Sequence, residues 1–181
     1  MSRRNKPKSL KSQKQVSKII VLKLLIFVLA VFCAFYSMRQ YYNFVIIKFV
    51  YLVSVSLVSG VFFGLLIYSY EKRIGGINFK IWDHFTRCTM VFGPICCSIL
   101  FLANECLSNN KEYNQTVLIL EKHKEYRRSP NEVVVKIEGE KRDINLSDKD
   151  FQEISLARSI DLKLKKGFFG FILIKEVKLK Y

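Results

Sequence analysis

The pattern of apolar positions changes character once along the chain. Through residue 103 they come in long uninterrupted runs, and from residue 114 they alternate with polar residues over short stretches. The longest run, Phe44–Tyr70, reads FVIIKFVYLVSVSLVSGVFFGLLIYSY, with Lys48 as its single charge. At about 1.5 Å rise per residue, a helix of this length crosses a hydrocarbon core of about 30 Å with some tilt. In water the run would be an insoluble surface, whereas in lipid a helix satisfies its own backbone hydrogen bonds. Ile19–Ser37 is a second run, with Lys23 near one end, where its stem can snorkel. Cys88–Ala103 is a third, rising only about 24 Å unless its helix begins near Ile81 or the bilayer thins. The pattern predicts three transmembrane helices, at about 19–37, 44–70 and 81–104.

The segments between the runs suit a membrane surface. Met38–Asn43 reads as a short polar turn that makes the first two helices an antiparallel hairpin, with Tyr41 and Tyr42 at headgroup depth. Glu71–Arg87 carries Lys72 and Arg73, a hinge at Gly75 and Gly76, and then INFKIWDHFTR. In that last stretch apolar and polar residues interleave, which predicts an interfacial segment with a solvated polar face, anchored by Trp82 and flanked by Arg87. Small residues mark where helices can approach one another. Ser56, Gly60 and Gly64 recur every four residues and give one smooth face for internal packing or for dimerisation. Gly93 and Pro94 predict a kink in the third helix, at which a freed carbonyl needs a new donor.

Charge supports this division. Thirty basic residues stand against 15 acidic ones, and before Glu105 there are 14 Lys or Arg with only Glu71 and Asp83 opposing them. Seven of the basic residues precede the first run, in a stretch at residues 1–18 without an acid, which predicts a disordered cytoplasmic tail. A basic leader before an apolar core also describes a cleavable signal peptide. The run is long for that role and Phe32 occupies the position that wants a small residue, so the segment is read as a retained span. With three crossings the amino terminus is cytoplasmic and the tail extracytoplasmic, while a re-entrant third run would put the tail inside. A nucleic-acid partner is not expected, because the positive excess flanks the apolar runs and not the folded tail.

Candidate chemistry is sparse. The five cysteines, Cys33, Cys88, Cys96, Cys97 and Cys106, all lie in or beside apolar runs, so a disulfide framework for the tail is not expected. Asp83, His84 and Cys88 match no usual zinc spacing. Neither a nucleophile elbow, a phosphate loop, H-E-x-x-H nor Cys-x-x-Cys occurs. Neither cofactor nor metal is predicted, and a membrane enzyme using Cys88, Cys96 or Cys106 is the least favoured reading.

After a linker at 105–113, residues 114–181 read as a β-rich domain. Strands are expected at Gln115–Glu125, Glu132–Ile137, Asp143–Leu146, Ser159–Lys165 and Phe169–Tyr181, with one helical turn capped by Ser147 and packed through Phe151 and Ile154. The fold class is thus a membrane α-helical part plus a small C-terminal β-barrel or roll, SH3-like or OB-like, with one short helix. The stretch Leu146–Ile174, LSDKDFQEISLARSIDLKLKKGFFGFILI, resembles a pattern found in small bacterial integral membrane proteins that end in a β-rich tail. The matching positions are Ser147, Phe151, the alternating strand, Lys166, Gly167 and Gly170, while the glycine usual before that strand is replaced by Ala157, Arg158 and Ser159. The resemblance implies a fold and no activity. The expected function is a non-catalytic interaction or structural component of a cell membrane, whose partners are the lipid bilayer and a membrane or envelope protein or a second copy. The alternative is an accessory subunit of a transporter or channel.

Overall fold

A computed structural model describes residues 10–75, 79–108, 111–123, 131–137, 139–146 and 157–180. Three long helices, α1 (Leu10–Asn43), α2 (Phe49–Gly75) and α3 (Ile81–Cys106), are joined by a two-residue strand, β1 (Val45–Ile46), and followed by five more strands. These are β2 (Glu112–His123), β3 (Glu132–Ile137), β4 (Glu140–Asn145), β5 (Ser159–Lys166) and β6 (Ile172–Lys180). Each helix contains a stretch long and apolar enough to cross a membrane, at Ile20–Asn43, Phe49–Ile74 and Ile81–Cys106. Only 11%, 17% and 28% of their most apolar windows are buried, so the apolar side chains mostly point away from the protein and require an apolar solvent.

Several boundaries depart from the sequence reading. Met38–Asn43 is not a turn, because α1 continues through it to Asn43. Helix also reaches back to Leu10, into the stretch expected to be disordered. Phe44–Lys48 does not belong to the second helix. Its apolar residues are equally good strand formers, and pairing with β6 turns Val45 and Ile46 into a strand before α2 begins at Phe49. α3 runs from Ile81 to Cys106 with Pro94 inside it. The helical turn expected after Ser147 lies outside the described residues.

The strands form one antiparallel sheet in the order β1-β6-β5-β2-β3-β4, curled into a half-barrel. The curl centres on β2, which pairs along Glu112–Leu118 with β5 and along Ile119–His123 with β3. A bulge between Ile119 and Glu121 marks the change of partner, a device that bends a strand and increases its twist. Alternation decides the faces. In β5, Ile160, Leu162 and Leu164 are fully buried while Asp161, Lys163 and Lys165 face outward. Val133, Val135, Ile137, Ile144 and Val117 complete the sheet core, with Ala157 and Ile172. Two turns use glycine at positive φ: Gly139 (88°) in the tight β3–β4 connection and Gly170 (85°) between β5 and β6.

By contacts the chain divides into two compact units, Met1–Ala34 with Val55–Cys96, and Phe35–Ser54 with Cys97–Tyr181. The first contains helices and no strand among its described residues. The second combines the end of α1, the β1 segment, the start of α2 and the end of α3 with the whole of the sheet.

Candidate functional site at the junction of helix ends and sheet

Strand β6 is buried on both faces at its start, and this creates the junction. Ile172 points into the sheet core, while Leu173 points the other way and packs with Val45, Ile47 and Phe101 in a second core. Tyr36, Tyr41, Leu52, Leu100 and Phe171 surround that second core. Backbone pairing of Val45 with Leu173 and Ile46 with Ile172, extended by Ile174 N–H donating to the Phe44 carbonyl at 2.8 Å, joins the α1–α2 connection to the sheet.

Asn104 fixes the β5–β6 turn to the end of α3. Its side chain is fully buried at 0% exposure, where an unpartnered amide would cost about 1–3 kcal/mol. Three backbone groups of the turn bond to Asn104, two of them to its side-chain amide. Phe168 N–H donates to the Asn104 backbone carbonyl at 3.0 Å, Phe169 N–H donates to Asn104 Oδ1 at 3.0 Å, and Asn104 Nδ2 donates to the Phe171 carbonyl at 3.4 Å. Gly167 is required here because a Cβ at that position would collide with the Asn104 amide. Beside this clamp Lys175 pairs with Glu105 at 2.6 Å.

A third link lies at the gap between the sheet edges. β4 and β1 are the outer strands and do not pair with each other. Arg142 on β4 donates from Nη2 to the Ile47 carbonyl and holds its guanidinium 5.1 Å from the centre of the Tyr41 ring, a cation–π distance. Asn145 Nδ2 donates to Asn43 Oδ1 at 2.7 Å. Side chains thus bridge where backbone pairing stops. Lower on the helix ends Ser37 and Ser98 share a buried hydroxyl contact at 3.0 Å, and the Cys97 thiol donates to the Leu52 carbonyl at 3.7 Å.

Two cavities flank the joined strands. One, of about 430 Å³, is bordered by Ile46, Lys48, Tyr51, Ile137, Gly170 and Phe171. The other, of about 290 Å³, lies among Arg39, Phe44, Glu105, Ile174 and Lys175. Apolar side chains and polar groups share both linings; in the second, Lys175 is ion-paired with Glu105 and Arg39 lies over the Phe44 ring. Among the described residues no group of three His, Cys, Asp or Glu is placed to hold a metal.

The sequence-predicted residues fall in both units. In the helical unit Ser56, Gly60 and Gly64 on α2 face Gly93, Thr89 and Phe85 on α3, so each four-residue step along α2 meets a four-residue step backward along α3. A Cβ on Gly60 would stand 2.6 Å from the Thr89 Cα, one on Gly64 2.6 Å from the Phe85 ring, and one on Gly93 2.9 Å from the Ser56 Cβ. Pro94 follows Gly93 in the same helix. Lys72 lies 5.6 Å over the Tyr68 ring, and Arg87 Nε donates to the Asp83 carbonyl at 3.0 Å. Arg73 stands in the last turn of α2, and Trp82 is 84% exposed near the start of α3. Tyr41 belongs instead to the junction, where Tyr42 contacts its ring edge-on at 5.2 Å.

The solvated polar face expected in INFKIWDHFTR holds at the exposed Lys80, Asp83 and Arg87 and needs correction at His84. His84 is 2% exposed, its Nε2–H donates to the Gly64 carbonyl at 2.9 Å, and Tyr68, Phe79 and Phe85 enclose its ring. Gly64 lacks a side chain, which leaves its carbonyl within reach of the imidazole. Lys23 likewise does more than snorkel, pairing with Glu71 at 2.7 Å.

Sequence reasoning missed Asn104, Arg142 and the Val45–Ile46 strand. The available signal for Asn104 was an amide immediately after a sixteen-residue apolar run, followed far along the chain by a glycine-bracketed aromatic turn. Arg142 had no signal, since its partner is a backbone carbonyl nearly a hundred residues away. Comparison with known proteins returns nothing further: no family model matches the chain, and neither does any curated protein or solved structure.

Proposed function

We propose that this is a three-span membrane protein whose β half-barrel serves as a non-catalytic interaction or structural module held directly on the membrane surface. The observation that carries the reading is the pairing of β1 with β6, by which a segment between two spans becomes part of the sheet. A domain tethered by a flexible linker would need no such strand. With the Asn104 clamp and the Arg142 bridge, the sheet is held at three helix ends. Rigid placement of this kind suits a surface offered to another membrane or envelope protein, or to a second copy of the chain.

The same pairing, together with charge, supports an orientation. The α1–α2 connection and the sheet share one side, which favours three full crossings over a re-entrant third helix. Seven basic residues before the first apolar run and four between the second and third runs favour a cytoplasmic position for those segments, and hence an extracytoplasmic sheet. The tail pattern in Leu146–Ile174 favours a bacterial cell membrane. The accessory-subunit alternative loses one support, because the small-residue face of α2 meets α3 of the same chain.

Two measurements test this reading. A Lys180→Cys variant, compared with the unsubstituted chain, should react with a membrane-impermeant maleimide in intact cells; reaction only after lysis would reverse the orientation. Purification in mild detergent after cross-linking should recover a dimer or a partner in fixed stoichiometry. A monomer under every condition would remove the interaction role.

A further inference from the structure

The turn between β5 and β6 exposes two adjacent large aromatics, Phe168 at 59% and Phe169 at 47%. Hairpin turns of a domain in water normally carry small polar residues, and neighbouring exposed phenylalanines call for a solvent or partner that accepts them. Their position identifies it. Phe168 N–H is bonded to the carbonyl of Asn104, which directly follows the apolar run Cys88–Ala103 of α3. The tip of the hairpin therefore stands at the level where that run leaves the hydrocarbon. Aromatic contacts continue inward: Phe168 to Phe169 at 5.1 Å, Phe169 to Phe171 at 6.4 Å, and Phe171 to Tyr51 at 6.3 Å, on the first turn of α2. Leu107, just past α3, is exposed as well, and the cations Lys48 and Lys166 are exposed at the same end of the sheet.

Resting on the reading of the three helices as spans, we propose that the Phe168–Phe169 tip dips into the lipid bilayer as a fourth, non-spanning membrane contact. Its rings occupy the boundary between headgroups and acyl chains, about 5–10 Å deep as for other interfacial apolar faces. Aromatic side chains prefer this zone, and exposed lysines beside them suit the phosphates above it. The Asn104 clamp gives the insertion its geometry. It fixes the turn backbone to the end of α3 and leaves both rings exposed there.

Tryptophan fluorescence in vesicles tests this. The single native tryptophan is replaced (Trp82→Phe), and one reporter is introduced at Phe168→Trp, at Phe169→Trp, or at Phe62→Trp in the middle of α2. Each protein is reconstituted into phosphatidylcholine–phosphatidylglycerol vesicles whose acyl chains are brominated near the headgroup or near the terminal methyl. Insertion predicts blue-shifted emission from both tip reporters, with greater loss to the shallow bromines, and greater loss to the deep bromines at position 62. If position 62 is quenched and the tip reporters are not, the insertion is wrong and the spans stand. Blue-shifted but unquenched tip emission would place the rings against protein and also overturn the proposal. Absence of quenching at all three positions would overturn the membrane reading itself.

Discussion

The helical unit and the sheet-bearing unit are each held together internally, and by opposite means. Between α2 and α3 the contact is made by what is missing, with Ser56, Gly60, Gly64 and Gly93 letting backbones approach and Phe63 stacking on Phe92 at 4.4 Å. In the sheet the contact is made by bulk, through Ile160, Leu162, Leu164, Val133, Val135 and Ile137. The solvent explains the difference. Lipid tails are as apolar as leucine, so burying leucine between spans gains little, and close packing with a few polar links has to suffice. Water expels the sheet's aliphatic residues, each worth about 1.5–3 kcal/mol when fully buried. The His84–Gly64 bond and the Ser37–Ser98 pair are polar links of the first kind.

The largest expected effect tests the water-driven core. Leu162→Ala leaves a cavity among fully buried neighbours and should cost about 2–5 kcal/mol. Proteolysis of the tail in detergent should then become much faster, while the helical unit stays protected. Loss of both together would show that the two do not unfold separately.

Next comes the reverse insult to the helical unit. Gly60→Leu forces a side chain into Thr89 and should cost about 1–3 kcal/mol through overpacking, more if the helices part. The midpoint of thermal unfolding in detergent, followed by helical circular dichroism, should fall in this variant and by less in Gly60→Ala. An unchanged midpoint in Gly60→Leu would mean that the close approach does not govern the pairing.

The junction itself should respond with a local signature. Asn104→Ala removes partners from Phe169 N–H and the Phe171 carbonyl, at a cost of about 1–3 kcal/mol. Amide exchange should accelerate at residues 167–171 and leave β3 and β4 unchanged. Uniform acceleration across the sheet would make Asn104 part of the sheet's general stability and not a clamp on one turn.

The smallest effect concerns an exposed pair across β2 and β5. Hydrogen bonding to Lys163, and the charge of that ammonium, hold the Glu112 carboxyl below its usual range, while Glu112 raises the Lys163 ammonium by the same contact at 2.7 Å. The carboxylate's contribution is present above its unfolded pKa of about 4.3 and is lost as pH falls through the lowered folded value. The ammonium's contribution is present below about 10.4 and is lost as pH rises through the raised folded value. Glu112→Gln should remove both slopes and change stability near neutrality very little, since the pair is exposed and screened. Thermal unfolding across pH would read this out, and an unchanged profile would mean the pair contributes nothing.

Legibility followed the range of the interactions. The three apolar runs were readable because length against bilayer thickness is a local property, and the alternation in SIDLKLK was readable because side-chain direction in a strand repeats every two residues. The end of α1 was misread because Arg39, Tyr41 and Tyr42 look like a turn by polarity, whereas a helix leaving lipid carries such residues without ending. His84 was misread for the converse reason, its polar side chain being satisfied by a carbonyl on another helix.

By itself the sequence determined which stretches need lipid and which need a sheet core, since solvent preference belongs to each side chain wherever it lies. Only the tertiary structure decided that FVIIK contributes a strand, that Asn104 holds a turn more than sixty residues further along, and that Arg142 closes the gap between sheet edges. Those outcomes depend on which backbone groups remain unpaired once the long-range pairing is complete, and no local window of residues contains that information.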